Sequence, residues 1–236
     1  MAYLGNAPTE VPLSSADLQD SIITSAKIAD GTIALADLSA TGTKDTTTFL
    51  RGDNSFATVS SDYVLLASTE ASSSASVSFD GYFSSTYKNY KIIGSNINAV
   101  NNAVYFNSRL RRSNADITTS DYKHVNSGRY VYSAGGDNWF NQQWNSNFIG
   151  LQYSWDLSNN QARPLSFEIT LFNPLNTTAH KHGDFMISFV ENGATYYING
   201  NGAFWLTDAT TALSGITFYF TSGNIASGNF KLYGIK

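Results

Sequence analysis

The chain has 236 residues, a formal net charge of -4, 14% charged and 14% aromatic residues, and no cysteine. That length accommodates one large domain, or a medium domain with an extension. The missing cysteines exclude disulfides, thiolate metal sites and cysteine nucleophiles. The mild acidity excludes the basic footprint that a phosphate backbone attracts.

The opening residues carry no basic region or apolar core, so they do not read as a secretory signal. No apolar run approaches the roughly 18 residues of a membrane span. From Leu4 to Thr48 there is no aromatic residue at all. A segment without large apolar side chains cannot build a core of its own. We therefore divide the chain into residues 1–60, an assembly segment, and residues 61–236, a folded head.

The first segment carries a repeat. Leu13, Leu18, Ile23, Ile28, Ile33 and Leu38 fall five residues apart. A ten-residue unit aligns Ala16-Asp17-Leu18, Ala26-Lys27-Ile28 and Ala36-Asp37-Leu38. Five matches neither the helical period nor the strand period. It suits an extended chain that returns one aliphatic to an axis at each step. One copy would leave these side chains wet. Three copies around a shared axis would bury them, at about 1.5 to 3 kcal/mol per fully buried side chain. This predicts a homotrimer. A disordered linker and a short helix from Ser25 to Leu38 are the alternatives.

Residues 41–57 form a junction rich in turn formers, with short strands expected at Thr46 to Leu50 and Ser55 to Ala57. The tripeptide Arg51-Gly52-Asp53 spells an integrin motif, but we read it as a hairpin turn.

Beyond Tyr63 the pattern is β. Leu165, Phe167, Ile169 and Leu171 alternate with polar residues, as do Phe185, Ile187 and Phe189, then Ile216, Phe218 and Phe220, then Phe230 and Leu232. Further strands are expected at 63–68, 87–94, 104–110, 128–132 and 148–155. Asn199-Gly200-Asn201-Gly202 reads as a turn, and Asp208 to Ser214 as a helical turn. Arg109, Arg111 and Arg112, the one dense basic group, read as a solvated strand end. The expected fold class is all-β: an extended trimerising N-terminal segment followed by an antiparallel β-sandwich head, jelly-roll-like.

The run Asp137-Asn138-Trp139-Phe140-Asn141-Gln142-Gln143-Trp144-Asn145 follows Gly135-Gly136 and is expected in a loop. Aromatic faces with amides beside them suit sugar binding. Trp139, Phe140, Trp144, Tyr153 and Trp155 are the candidate glycan-binding residues, with Tyr196, Tyr197 and Trp205 behind them. The competing reading packs Trp139 and Trp144 into the sandwich or a trimer interface. His180-Lys181-His182 could place two imidazoles on one strand face. Three copies could then offer six nitrogens to a metal, but we read these as solvated loop histidines and expect no cofactor. Asp137, Asp156, Glu168, Asp184 and Glu191 are scattered, and no nucleophile–base pair is visible. We expect no enzymatic activity.

The opening Met1-Ala2-Tyr3-Leu4-Gly5-Asn6-Ala7-Pro8, the unit Ile28-Ala29-Asp30-Gly31-Thr32-Ile33 and the linker Thr47 to Asp53 resemble tail-fibre and fibre-like virion proteins of tailed phages, those of cyanobacteria especially. Phe79 to Tyr90 and the terminal Leu232-Tyr233-Gly234-Ile235-Lys236 resemble the heads of such proteins. The resemblance covers about half of the chain; Asn96 to Gln161 match nothing. It implies a homotrimer in the virion, assembled in the host cytoplasm. It implies a distal head that contacts a host glycan or protein. It also implies an N-terminal anchor in the tail, which we place at Met1 to Val11, with Tyr3, Leu4, Pro8 and Val11 as its contacts. A head fibre or capsid-decorating protein, or a tail adaptor binding other virion proteins, would be similarly built.

Overall fold

The computed structural model of the chain describes residues 23–59, 61–152, 155–208 and 210–236. The expected anchor residues Tyr3, Leu4, Pro8 and Val11, the first two aliphatics Leu13 and Leu18, and Tyr153 lie outside them. The chain divides into two compact units, Met1–Ser60 and Ser61–Lys236.

In the first unit the ten-residue repeat has a structural counterpart. Single 3-10 turns occupy Ser25–Lys27 and Leu35–Asp37, ten residues apart. The first is closed by Lys27 N–H to Thr24 O and Ile28 N–H to Ser25 O, the second by Asp37 N–H to Ala34 O. The continuous helix considered for Ser25 to Leu38 does not form. Gly31 lies between the turns at φ 78°, a left-handed conformation that ends any helix there. Strands β1 (Thr48–Leu50) and β2 (Phe56–Thr58) then pair as an antiparallel hairpin. Arg51-Gly52-Asp53 is its turn: Arg51 N–H donates to Ser55 O, and the Asp53 carboxylate accepts from the backbone and hydroxyl of Ser55.

The second unit is a sandwich of two antiparallel sheets. Its strands are β3 (Tyr63–Ser74), β4 (Val77–Asp80), β5 (Asn89–Ala99), β6 (Phe106–Arg112), β7 (Ala115–Asp116), β8 (Tyr122–Tyr132), β9 (Gly135–Ser146), β10 (Ile149–Gly150), β11 (Leu165–Phe172), β12 (Lys181–Val190), β13 (Tyr197–Leu206), β14 (Gly215–Phe220) and β15 (Ile225–Ile235). The larger sheet runs β3-β15-β5-β11-β12-β13-β8-β9, and the smaller runs β10-β6-β14-β4 with β7 beside β6. Among the described residues there is no α-helix; the segment before Gly215 bends instead of turning helically.

The alternation seen in β11, β12 and β14 sends its apolar residues into the space between the sheets. Phe106 and Phe218 of the smaller sheet meet Phe167 and Phe230 of the larger, with ring centroids 4.8 to 6.0 Å apart. Such aromatic packing contributes beyond the area it buries. Tyr122 ties the sheets together with its hydroxyl, which accepts from Leu110 N–H at 3.0 Å and donates to Ile117 O at 3.1 Å.

The arginine trio is not a solvated end. Arg111 bonds Asp80 and Asp116, each at 2.5 Å. Arg112 pairs with Asp208 at 2.6 Å. Arg109 donates to Asn147 O and lies 4.8 Å from the Tyr219 ring centre.

Candidate functional site

The tryptophan run is not a loop. It forms β9, an edge strand that pairs with β8 along its whole length. The polar, charge-poor run lacks apolar alternation, which hides its strand character; cross-strand pairing supplies what propensity does not. Strand geometry then sorts the run by face. Trp139, Asn141 and Gln143 are half-buried, whereas Phe140 and Trp144 are 68% and 75% exposed.

A bulge fixes the position of Trp144. The register shifts between Tyr122, which faces Ser146, and Lys123, which faces Trp144. Asn145 is the extra residue, at φ 63°. Residues two apart normally share a face. The inserted residue breaks that rule, so Ser146 stays buried while Trp144 points to solvent.

Trp144 heads an outward row that crosses five strands: Trp144, Lys123, Trp205, His182 and Phe172 are successive register partners on β9, β8, β13, β12 and β11. Lys123 lies between the two indoles, its ammonium 4.6 Å from the Trp144 ring centre. His182 stacks toward Phe172 at 5.3 Å. Trp144, Trp205, Lys123 and Gln142 line a cleft of about 560 Å³. Two aromatic faces, one ammonium and one amide make a surface that can stack on a sugar ring and bond its hydroxyls.

The other candidates sit elsewhere. Trp139 packs against Trp155 at 5.7 Å, and Trp155 against Tyr130 and Tyr196 at 5.0 and 6.1 Å. These rings form a half-buried aromatic cluster that presents little free face to a ligand. Two glycines make room for it. Gly200, Gly128 and Trp139 are register partners on β13, β8 and β9, and the indole covers both glycines. Asn199-Gly200-Asn201-Gly202, expected as a turn, is therefore the middle of β13: Gly202 likewise leaves space for the Phe185 ring. Trp205 and Tyr197, which ranked behind the run in sequence, are outward and exposed. Their alternation with Ile198 and Phe204 was the available signal, masked by the glycines between.

The histidines do not converge. His180 precedes β12, Lys181 points inward and is fully buried, and His182 faces out. No three His, Asp or Glu side chains cluster as a metal site among the described residues. His124 is buried with neither ring nitrogen bonded to protein, and burial pushes its pKa down to about 4. Two of the carboxylates are engaged apart from each other. Glu168 pairs with Lys91, and Glu191 accepts from the backbone of Gly193 and Thr195. No family model matches the chain, and no curated protein or solved structure is significantly similar to it.

Proposed function

We propose that this chain is a non-enzymatic structural protein of a tailed-phage virion. It is a homotrimeric tail fibre with an extended trimerising N-terminal segment, anchored to the tail through Met1 to Val11. Its jelly-roll-like head recognises the host surface, with the Trp144–Lys123–Trp205 cleft as a glycan-binding candidate.

The observation that carries this reading is the exposure of Ile23, Ile28 and Ile33, at 53%, 40% and 56%. Three isoleucines at five-residue steps, with two 3-10 turns ten residues apart, are apolar side chains that a single chain leaves in water. Covering it with two further copies recovers about 1.5 to 3 kcal/mol per side chain fully buried. The sequence resemblance of both chain ends and the junction to fibre proteins supports the same stoichiometry and a place in a virion. Three heads on one stalk would let weak single-site binding act through avidity.

Light scattering of the purified full chain tests the assembly, with the mass of three copies expected. A monodisperse monomer at micromolar concentration sinks the shared-axis reading. Labelled antibody on intact virions should mark the tail. Labelling of the capsid, or a folded head that does not adsorb to host cells, would favour the head-fibre or adaptor role instead.

A further inference from the structure

A second depression lies on the outer face of the larger sheet, at the opposite end of the strands from Trp144. Its volume is about 780 Å³, within the range of small-molecule sites. We propose that it binds a carboxylate-bearing sugar unit, with Arg129 on the carboxylate and Tyr197 against the ring. This deepens the recognition role proposed above by naming a ligand class for the head.

Two adjacent outward rows build the floor. The first is polar throughout: Ser166, Ser188, Asn199, Arg129 and Asn138 are successive register partners on β11, β12, β13, β8 and β9. The second is apolar: Val190, Tyr197, Val131 and Gly136 are partners in the same strand order from β12 to β9. Neighbouring strands are about 4.8 Å apart, and successive outward residues on one strand about 6.8 Å. That spacing matches a pyranose, which has hydroxyls around its edge and C–H groups on its face. The serines and Gly136 are small, so the floor dips between them. Tyr197 and Val131 rise beside it, 58% and 55% exposed.

Arg129 decides the charge of the ligand. Its Nε donates to Asn138 Oδ1 at 3.2 Å, which orients the guanidinium over the polar row. Among the described residues it forms no ion pair, so its terminal nitrogens keep their donors for a planar carboxylate. Asp137 also lines the depression, but one of its oxygens accepts from Asn138 N–H at 2.7 Å. The chain as a whole carries -4, so attraction for an acid cannot come from diffuse positive charge. It must be local, which selects a singly charged group over a phosphodiester polymer.

The test is calorimetric titration of the full-length protein with the methyl glycoside of galacturonic acid, which carries one carboxylate, and with its methyl ester. The acid should bind at least about tenfold tighter than the ester, as loss of a charge-assisted bond predicts. Arg129→Gln should remove that preference, Arg129→Lys should restore only part of it, and Tyr197→Ala should weaken both ligands. Equal binding of acid and ester, no binding of the acid, or unchanged preference in Arg129→Gln overturns the proposal. So does a change of oligomer mass in Arg129→Gln, which would mean that a second copy fills the depression. The titration needs neither virion nor host, so failure of the fibre assignment would not alter its outcome.

Discussion

The indole of Trp139 stands where a side chain on Gly200 would have to be. A Cβ built on Gly200 would lie 2.8 Å from Trp139 Cζ2, closer than carbon atoms approach. A bare backbone on β13 thus lets an edge-strand tryptophan lie across the sheet, and the ring returns the cover that two glycines remove.

Gly200→Ala should therefore displace the indole and cost about 1 to 3 kcal/mol, the usual penalty of overpacking. Urea unfolding would measure the loss, and a shift in tryptophan emission would report the displacement. Unchanged stability with unchanged emission would mean that the ring yields freely.

The two tryptophans of the run should respond oppositely to truncation. Trp144 is 75% exposed, and its loss removes only a cation–π contact with Lys123. Trp144→Ala should shift stability by no more than about 1 kcal/mol while reducing adsorption of the purified protein to host cells. Trp139→Ala opens a hole in the aromatic cluster and should cost about 2 to 4 kcal/mol. Denaturant midpoints of the two variants, read beside the adsorption assay, separate packing from recognition.

Stability should fall as pH drops from about 6.5 to about 4. His124 is buried and its pKa is lowered to about 4, from an ordinary value of 6.5. Within that window the unfolded chain takes up a proton that the folded one does not, so acid favours unfolding; below it both states are protonated. The difference amounts to about 3 kcal/mol by linkage. His124→Gln should flatten this part of the stability curve, measured by thermal melts across the range. A slope unchanged by the substitution would assign the loss to other groups.

Arg111 should be the costliest charged residue to remove. It lies between Asp80 and Asp116, whose side chains are 19% and 26% exposed. Arg111→Met leaves two carboxylates facing each other and should cost about 2 to 3 kcal/mol. Adding Asp116→Asn should recover part of that in a double-mutant cycle. Burial pushes the Asp80 carboxyl up, but hydrogen bonds from Arg111 and Ser214 outweigh it and hold its pKa below the ordinary carboxylate value. The contribution of Asp80 is thus present above about pH 4 and lost as pH falls further, a window separate from that of His124.

Strand character was legible wherever one face of a strand meets the core. Leu165 to Leu171 and Phe185 to Phe189 alternate in sequence because alternate residues are buried. It was not legible in β9 and β13. There the inward positions hold Asn141 and Gln143, which are polar, and Gly200 and Gly202, whose space a neighbouring ring fills. The candidate residues were legible by type but not by direction, since a run of aromatics does not say which of them faces out.

The composition and periodicity of the sequence alone determine an all-β chain and a first segment, free of aromatics from Leu4 to Thr48, with aliphatics every five residues. They do so because burial of alternate or spaced side chains writes its period directly into the residue order. Tertiary structure alone decides which aromatics are available. The bulge at Asn145 turns Trp144 to solvent, the register of β8 and β13 sets Lys123 between two indoles, and the glycines of β8 and β13 draw Trp139 inward. Each of these depends on which strands become neighbours, and pairing between distant segments leaves no local mark in the sequence.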